Sequence, residues 1–268
     1  MRLRLLIKNL LLVMITLCSN VYGQNQTNEQ KLPDEIIYVS NPNRGDDLCI
    51  SEIERAKKDI ANGKIVFTQQ VGFLYGYIRY ESELKQICKE NGLEFDIELI
   101  SDVQFDGETQ GCYGYYMDKV IIEKYGLGFK EKIHLEADSL YFSLIQSENR
   151  LVDSFDCDKQ PRLPNELSER DIYLLKVSDI DIQEKSGENG GWPFFDVGFI
   201  IEKDCTISEF RINNFVPQHE KNKKFKEELF SKVTEHIKQK YPIWIPGKIK
   251  NTPVRTNANA RFFIEKKQ

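Results

Sequence analysis

The feature that most limits what this chain can fold into is a period-2 alternation centred on residue 198. Phe195, Val197, Phe199 and Ile201 alternate with Asp196, Gly198, Ile200 and Glu202, the pattern of a strand with one buried face. The polar run Glu202-Lys203-Asp204-Cys205 interrupts it. Ile207, Phe210 and Ile212 follow as a second strand, so the pair reads as a hairpin. A helical stripe comes next, Phe225, Leu229, Val233 and Ile237 at i, i+4 spacing, with Lys224, Lys226, Lys232 and Lys238 around it. Tyr241-Pro242 stops that helix, because proline cannot continue it and disfavours helix in the residue before. Trp244-Ile245-Pro246-Gly247-Lys248 reads as a turn, and Ala258, Ala260, Phe262 and Ile264 alternate along a last strand. Residues 192–268 thus read as a β-β-α-β module.

The chain begins Met1-Arg2-Leu3-Arg4, with Lys8, an apolar run from Leu10 to Leu17, and then Val21-Tyr22-Gly23. A basic start, a short apolar segment and a small residue at a cleavage point read as a signal peptide over residues 1–23. The apolar run is shorter than the ~20 residues a membrane-spanning helix needs. Export to the periplasm is therefore expected, with anchoring through an uncleaved leader as the alternative. Residues 24–33 are polar and expected to be disordered.

Residues 34–155 read as an acidic α+β domain. Ile36 to Val39 are expected as a short strand, Ile50, Ile53, Ala56 and Ile60 as a helix ending at Asn62-Gly63, and Ile65 to Phe67 as a strand. Leu84, Ile87 and Cys88 sit on a second helix. Phe95, Ile97 and Leu99 alternate with Glu94, Asp96 and Glu98 as a half-buried strand. Two further helices follow, from Tyr113 to Tyr125 and from Phe129 to Ile145. Helices and strands are mixed without a regular βαβ repeat, so the fold class is α+β. Residues 156–191, rich in Asp, Pro and Gly, read as a linker in which residues 172–182 could contribute a strand.

Charge divides the chain in the same way. Residues 24–197 carry 19 Lys/Arg and 34 Asp/Glu, whereas residues 198–268 carry 15 and 8. A basic module outside the cytoplasm meets little nucleic acid, so an acidic peptide or anionic envelope polymer is the expected kind of partner. After removal of the leader with Cys18, the cysteines at 49, 88, 112, 157 and 205 remain. Export permits disulfides, the odd number leaves at least one thiol unpaired or paired between chains, and the spacings do not fix the pairing.

The Phe195-Asp196-Val197-Gly198-Phe199 start, Ile207, the basic helix, Trp244-Ile245-Pro246-Gly247-Lys248, Thr252-Pro253-Val254-Arg255 and the closing Phe262-Phe263-Ile264 together resemble the C-terminal domain of the TonB family. The resemblance covers about the last quarter of the chain. Family members usually carry Gly after the Asp of the hairpin turn, where φ is positive, and here Cys205 follows Asp204. The long Pro-rich spacer of the energy-transducing members is absent. The resemblance implies a protein partner, a short peptide near the N-terminus of outer-membrane receptors, bound by strand addition to the closing strand. Its motif positions point to Arg261, Phe263 and Lys248 as contact residues, with Trp244 and Phe262 in the core; Lys266, a second cation of the closing strand, is expected to join them.

The expected function is therefore binding to envelope transport components, with no cofactor and no catalytic or metal residue assigned. A metal- or thiol-dependent hydrolase within residues 34–150 is one alternative, with Cys112 as nucleophile and His134 as base. Separately, the carboxylate-rich segment from Asp153 to Asp158 is a candidate for calcium, although it lacks the spacing of a calcium loop. A homodimer using the edge strand on itself is the other alternative. No phosphate loop, dinucleotide fingerprint or nucleophile elbow occurs.

Overall fold

A computed structural model of the chain describes residues 31–72, 78–103, 105–164, 173–185, 187 and 191–267. The leader and most of the polar segment after it lie outside these residues. Among the described residues, no helix is long and apolar enough to cross a membrane. The chain is a mixed α+β protein in two compact units. Unit 1 is Met1–Tyr75 with Cys88–Ile133, and unit 2 is Gly76–Ile87 with His134–Gln268.

Unit 1 contains α1 (Asp34–Ser40), α2 (Asp47–Ala61), β1 (Val66–Gly72), β2 (Glu94–Ile100) and α4 (Cys112–Tyr125). The helix α3 (Glu81–Glu90) precedes β2, and α5 (Phe129–Glu148) follows α4. The strand expected at Ile36 to Val39 is instead part of α1. Pro33 stands just before its first turn, and Ile36 and Val39, three apart, are the buried pair while Ile37 and Tyr38 stay exposed. In α2, the Asp46 side chain accepts the Cys49 N–H at 3.1 Å and caps the helix. Its second oxygen accepts the Thr109 N–H at 2.7 Å. Asp46 is only 1% exposed, so one buried carboxylate holds both the start of α2 and the loop into α4. Cys49 and Cys112 complete that link as a disulfide, buried with Val39 and Ile53.

β1 and β2 pair in parallel, Val66 opposite Glu94 through Gly72 opposite Ile100. The face expected to be buried on β2 is not: Ile97 is 38% and Leu99 64% exposed. The reason is the way α4 meets the sheet. A Cβ on Gly114 would stand 2.3 Å from a Glu98 oxygen and 2.6 Å from the Thr68 hydroxyl. One on Gly111 would stand 2.3 Å from the Gln70 amide nitrogen. These two glycines let α4 lie on the face carrying Thr68, Gln70 and Glu98, and the apolar residues of β2 take the other face.

Unit 2 is organised around a five-stranded sheet. Its strands are β3 (Val152–Asp153), β4 (Leu174–Val177), β5 (Phe194–Ile201), β6 (Ile207–Val216) and β9 (Thr256–Lys266). Helix α6 (Lys226–Lys240) separates β6 from the short hairpin β7 (Lys248–Ile249) and β8 (Thr252–Pro253). β5 pairs antiparallel with β6 on one side and β9 on the other, and β9 pairs in parallel with both β3 and β4. Phe195, Val197, Phe199 and Ile201 all point into the core against Leu229, Val233 and Ile237 of α6, as the sequence periods require. Trp244 is 6% exposed, lies edge-on to Phe199 with ring centres 5.1 Å apart, and donates its indole N–H to the Tyr241 carbonyl. Phe262 is fully buried.

Parts of the segment expected as a linker belong to this structure. Lys159 and Arg162 form single bridges with Lys248 and Ile245, β4 is a strand of the sheet, and Ile180 and Ile182 are core residues. Asn222, fully buried, shows why they stay there. Its side chain accepts the Gln183 N–H and donates to the carbonyls of Gln183 and Pro217, so its amide is satisfied on both sides. The strand expected within residues 172–182 is β4, and Leu175, Val177, Ile180 and Ile182 are its buried apolar residues and those just after it.

Candidate functional site

The closing strand β9 is not a free sheet edge along its whole length. β3 stands opposite Thr256 and Asn257, and β4 opposite Phe263 to Lys266. Between them, among the described residues, no strand pairs with 258–262 on the side away from β5. Backbone direction follows from two bonds. The Ile264 N–H donates to Pro193 and the Phe263 N–H to Tyr173, at 2.9 and 2.7 Å. Alternate residues of an antiparallel strand aim their N–H and C=O to opposite sides. The even positions of β9 therefore bond to β5, while Asn259 and Arg261 present theirs outward. A groove of about 620 Å³ lies there, lined by these two residues with Tyr173, Leu174, Ala260, Phe263 and Glu265.

The other edge of the sheet, β6, is blunted. Its register with β5 shifts between Asp196 and Val197 and again between Gly198 and Ile200, and Glu209 has a positive φ of 50°. Such bulges twist an edge away from further pairing.

The expected contact residues separate into two places. Arg261 and Phe263 line the groove, with Phe263 46% exposed. Arg261 lies over the Phe194 ring at 4.4 Å and binds Asp196 through two hydrogen bonds, of 2.6 and 3.1 Å. Asp196 is held below the usual carboxylate range, chiefly by the Arg261 hydrogen bond. Lys266, at the end of β9, is paired with Asp181 at 2.7 Å. The two cations of the strand are thus balanced by neighbouring carboxylates. Lys248 lies on β7, its backbone bonded in both directions to Lys159, outside the groove.

A polar ladder crosses the exposed face beside the groove. Arg211 on β6 bonds to Asn257 on β9, and Asn213 to Asn259. Both reach across β5 at Gly198, where a Cβ would stand 2.7 Å from the Arg211 Nε and 2.9 Å from the Asn213 amide nitrogen. Next along the face, Arg255 binds Glu202 and Glu209. The alternation of β9 marked its outward positions, but nothing in the sequence showed that β3 and β4 would frame two of them, Asn259 and Arg261.

The residues considered for hydrolysis stand differently. Cys112 is fully buried in the disulfide with Cys49 and so is no nucleophilic thiol. Of the free thiols, burial pushes Cys88 up to about 12 and Cys157 up to about 11. The His134 Nδ1 lies 3.4 Å from the Tyr80 hydroxyl. In the acidic segment, Asp153 accepts the Phe155 N–H, and Asp158 binds Arg79 and the Lys250 N–H. Among the described residues, no group of three or more His, Cys, Asp or Glu side chains is placed to hold a metal ion.

The site thus defines a mixed α+β protein with an interrupted sheet edge over an apolar-floored groove. No protein-family model matches the chain, and neither a characterised protein nor a solved structure matches it.

Proposed function

We propose that this is an exported, periplasmic binding protein whose TonB-like C-terminal module takes an extended segment of a protein partner by strand addition to β9, and so contacts transport components of the cell envelope. The observation that carries this reading is the pair of backbone groups at Asn259 and Arg261, which face away from β5 and, among the described residues, pair with no strand on that side. Main-chain hydrogen bonds supply affinity in this mode, and side-chain pockets supply selectivity. Here the pocket is the apolar floor of Tyr173, Leu174 and Phe263. Because Arg261 and Lys266 already have carboxylate partners, association depends on the backbone and this floor more than on long-range charge.

The reading is tested with the mature chain as bait in envelope extract, followed by affinity measurement on the captured partner's peptide. The decisive variant is Asn259→Pro. Its N–H points away from β5, so proline there removes a partner-facing donor while leaving the β5 ladder bonds in place. Asn259→Ala controls for the lost bond to Asn213. Wild type and Asn259→Ala should bind alike, and Asn259→Pro should bind about tenfold more weakly, with an unchanged melting temperature. Equal binding by Asn259→Pro would place the interface elsewhere.

A further inference from the structure

We propose that unit 1 carries a binding site for an organic cation on an apolar stem, an ammonium or guanidinium group received in the cleft between α1 and the loops that flank Ser101 and Gln110. The cleft has a volume of about 530 Å³, within the range of small-ligand sites. Three carboxylates, Asp34, Glu35 and Asp102, line it, and Lys, Arg and His are missing from its lining. None of the three has an ion pair or side-chain hydrogen bond among the described residues. On the sheet of unit 2 the contrast is plain: Asp181, Asp196 and Glu202 each have a cation beside them. Unmatched like charges around a concavity with apolar walls concentrate a negative potential and draw cations into it.

The rest of the lining fits the stem and the group. Val39 is buried in the floor, Tyr115 is half-buried against it, and the Tyr38 ring is exposed at the rim. Carboxylates next to aromatic faces are the surroundings that hold ammonium and guanidinium groups. Burial, then Glu35, raises the Tyr115 phenol, so its hydroxyl stays protonated and available for hydrogen bonding at neutral pH. The walls are also fixed in advance. The disulfide and Asp46 tie the approach to α4 onto α2, and the Gln110 side chain bonds the Ser101 N–H at 2.7 Å and the Val103 carbonyl at 2.8 Å. Little ordering is left for binding to do.

Two sources share this chemistry, a free alkyl amine or guanidine and a Lys or Arg side chain presented by a peptide. The test titrates the mature chain, observed by NMR, with agmatine and with an N-acetylated, C-amidated Gly-Arg-Gly peptide. At low salt and about 1 mM probe, either should shift amides of α1 and residues 100–110. Glu35→Gln and Asp102→Asn should each weaken binding about tenfold, because each removes a carboxylate that has no internal partner. Glu123→Gln, on the exposed far end of α4, should change nothing. Tighter binding of the peptide assigns the site to a protein ligand, and tighter binding of agmatine to a free amine; either supports the proposal. The proposal fails if neither probe shifts these amides, if an uncharged analogue binds as well, if the two cleft variants bind like wild type, or if calcium alone reproduces the shifts.

Discussion

Reduction of the Cys49–Cys112 disulfide should remove about 4 kcal/mol from the stability of unit 1. The bridge closes a loop of sequence separation 63. In the chain-entropy account, a loop of that length restrains the unfolded chain by about 14 cal/mol/K, which gives the ~4 kcal/mol at 25 °C. Both cysteines are fully buried in the cluster with Val39 and Ile53. The double variant Cys49→Ala with Cys112→Ala therefore loses packing as well, about 1–2 kcal/mol more than reduction alone. Alanine is preferred to serine because a buried hydroxyl there would need a partner. Urea unfolding followed by circular dichroism reads the difference. With a slope of about 2 kcal/mol/M, reduction moves the midpoint by about 2 M. Hydrogen exchange locates it: amides of α2 and α4 should lose protection first. A loss below about 1 kcal/mol on reduction would refute the reasoning. It would mean that the Asp46 anchor and apolar contacts already hold α2 against α4 in the unfolded ensemble.

Three further outcomes follow from single positions. Gly198→Val should destabilise unit 2 by about 1–2 kcal/mol and release Arg211 and Asn213 from their bridges to β9, visible as loss of the asparagine side-chain NMR signals from their present positions. Glu98→Gln should be more stable than wild type at neutral pH and equal to it near pH 4. Burial raises the Glu98 carboxyl against the Gln70 hydrogen bond, so its contribution is full below the unfolded-state value and is lost as pH rises through the folded-state value. Urea midpoints across that pH range give the check. Cys205 has a left-handed φ of 74°. Cys205→Gly should therefore gain about 0.5–1 kcal/mol in thermal unfolding, the relieved strain exceeding glycine's added chain entropy.

What the sequence disclosed, and what it withheld, follow from the range of the interactions involved. The helix stripe of Leu229, Val233 and Ile237 and the alternations of β5 and β9 are local repeats whose buried faces are decided by hydrophobicity alone, and all three stand as read. The left-handed φ of Cys205 was not legible from the residue itself, since cysteine gives no signal for positive φ. Nor was the burial of β2. Its apolar alternation points one way, but Gly111 and Gly114, more than ten residues further on, let α4 settle on the opposite face against Thr68, Gln70 and Glu98. Likewise, nothing near 174–182 announces that Asn222 will bond both backbone groups of Gln183 and hold that segment in the core.

The groove on β9 depends on the same kind of distant term. Its outward backbone is fixed by a period of two, which any reader of 256–266 can count. Its boundaries are fixed by pairings with residues about 90 to 100 positions earlier, Asp153 opposite Asn257 and Leu174 opposite Phe263. Under the proposed strand addition, those partners would confine a pairing segment to 258–262, where no strand pairs with β9 on that side among the described residues. Selectivity in strand addition would then come from length and register as much as from side chains. A partner segment too long to leave the sheet plane at both ends would meet β3 or β4 before its hydrogen bonds were complete.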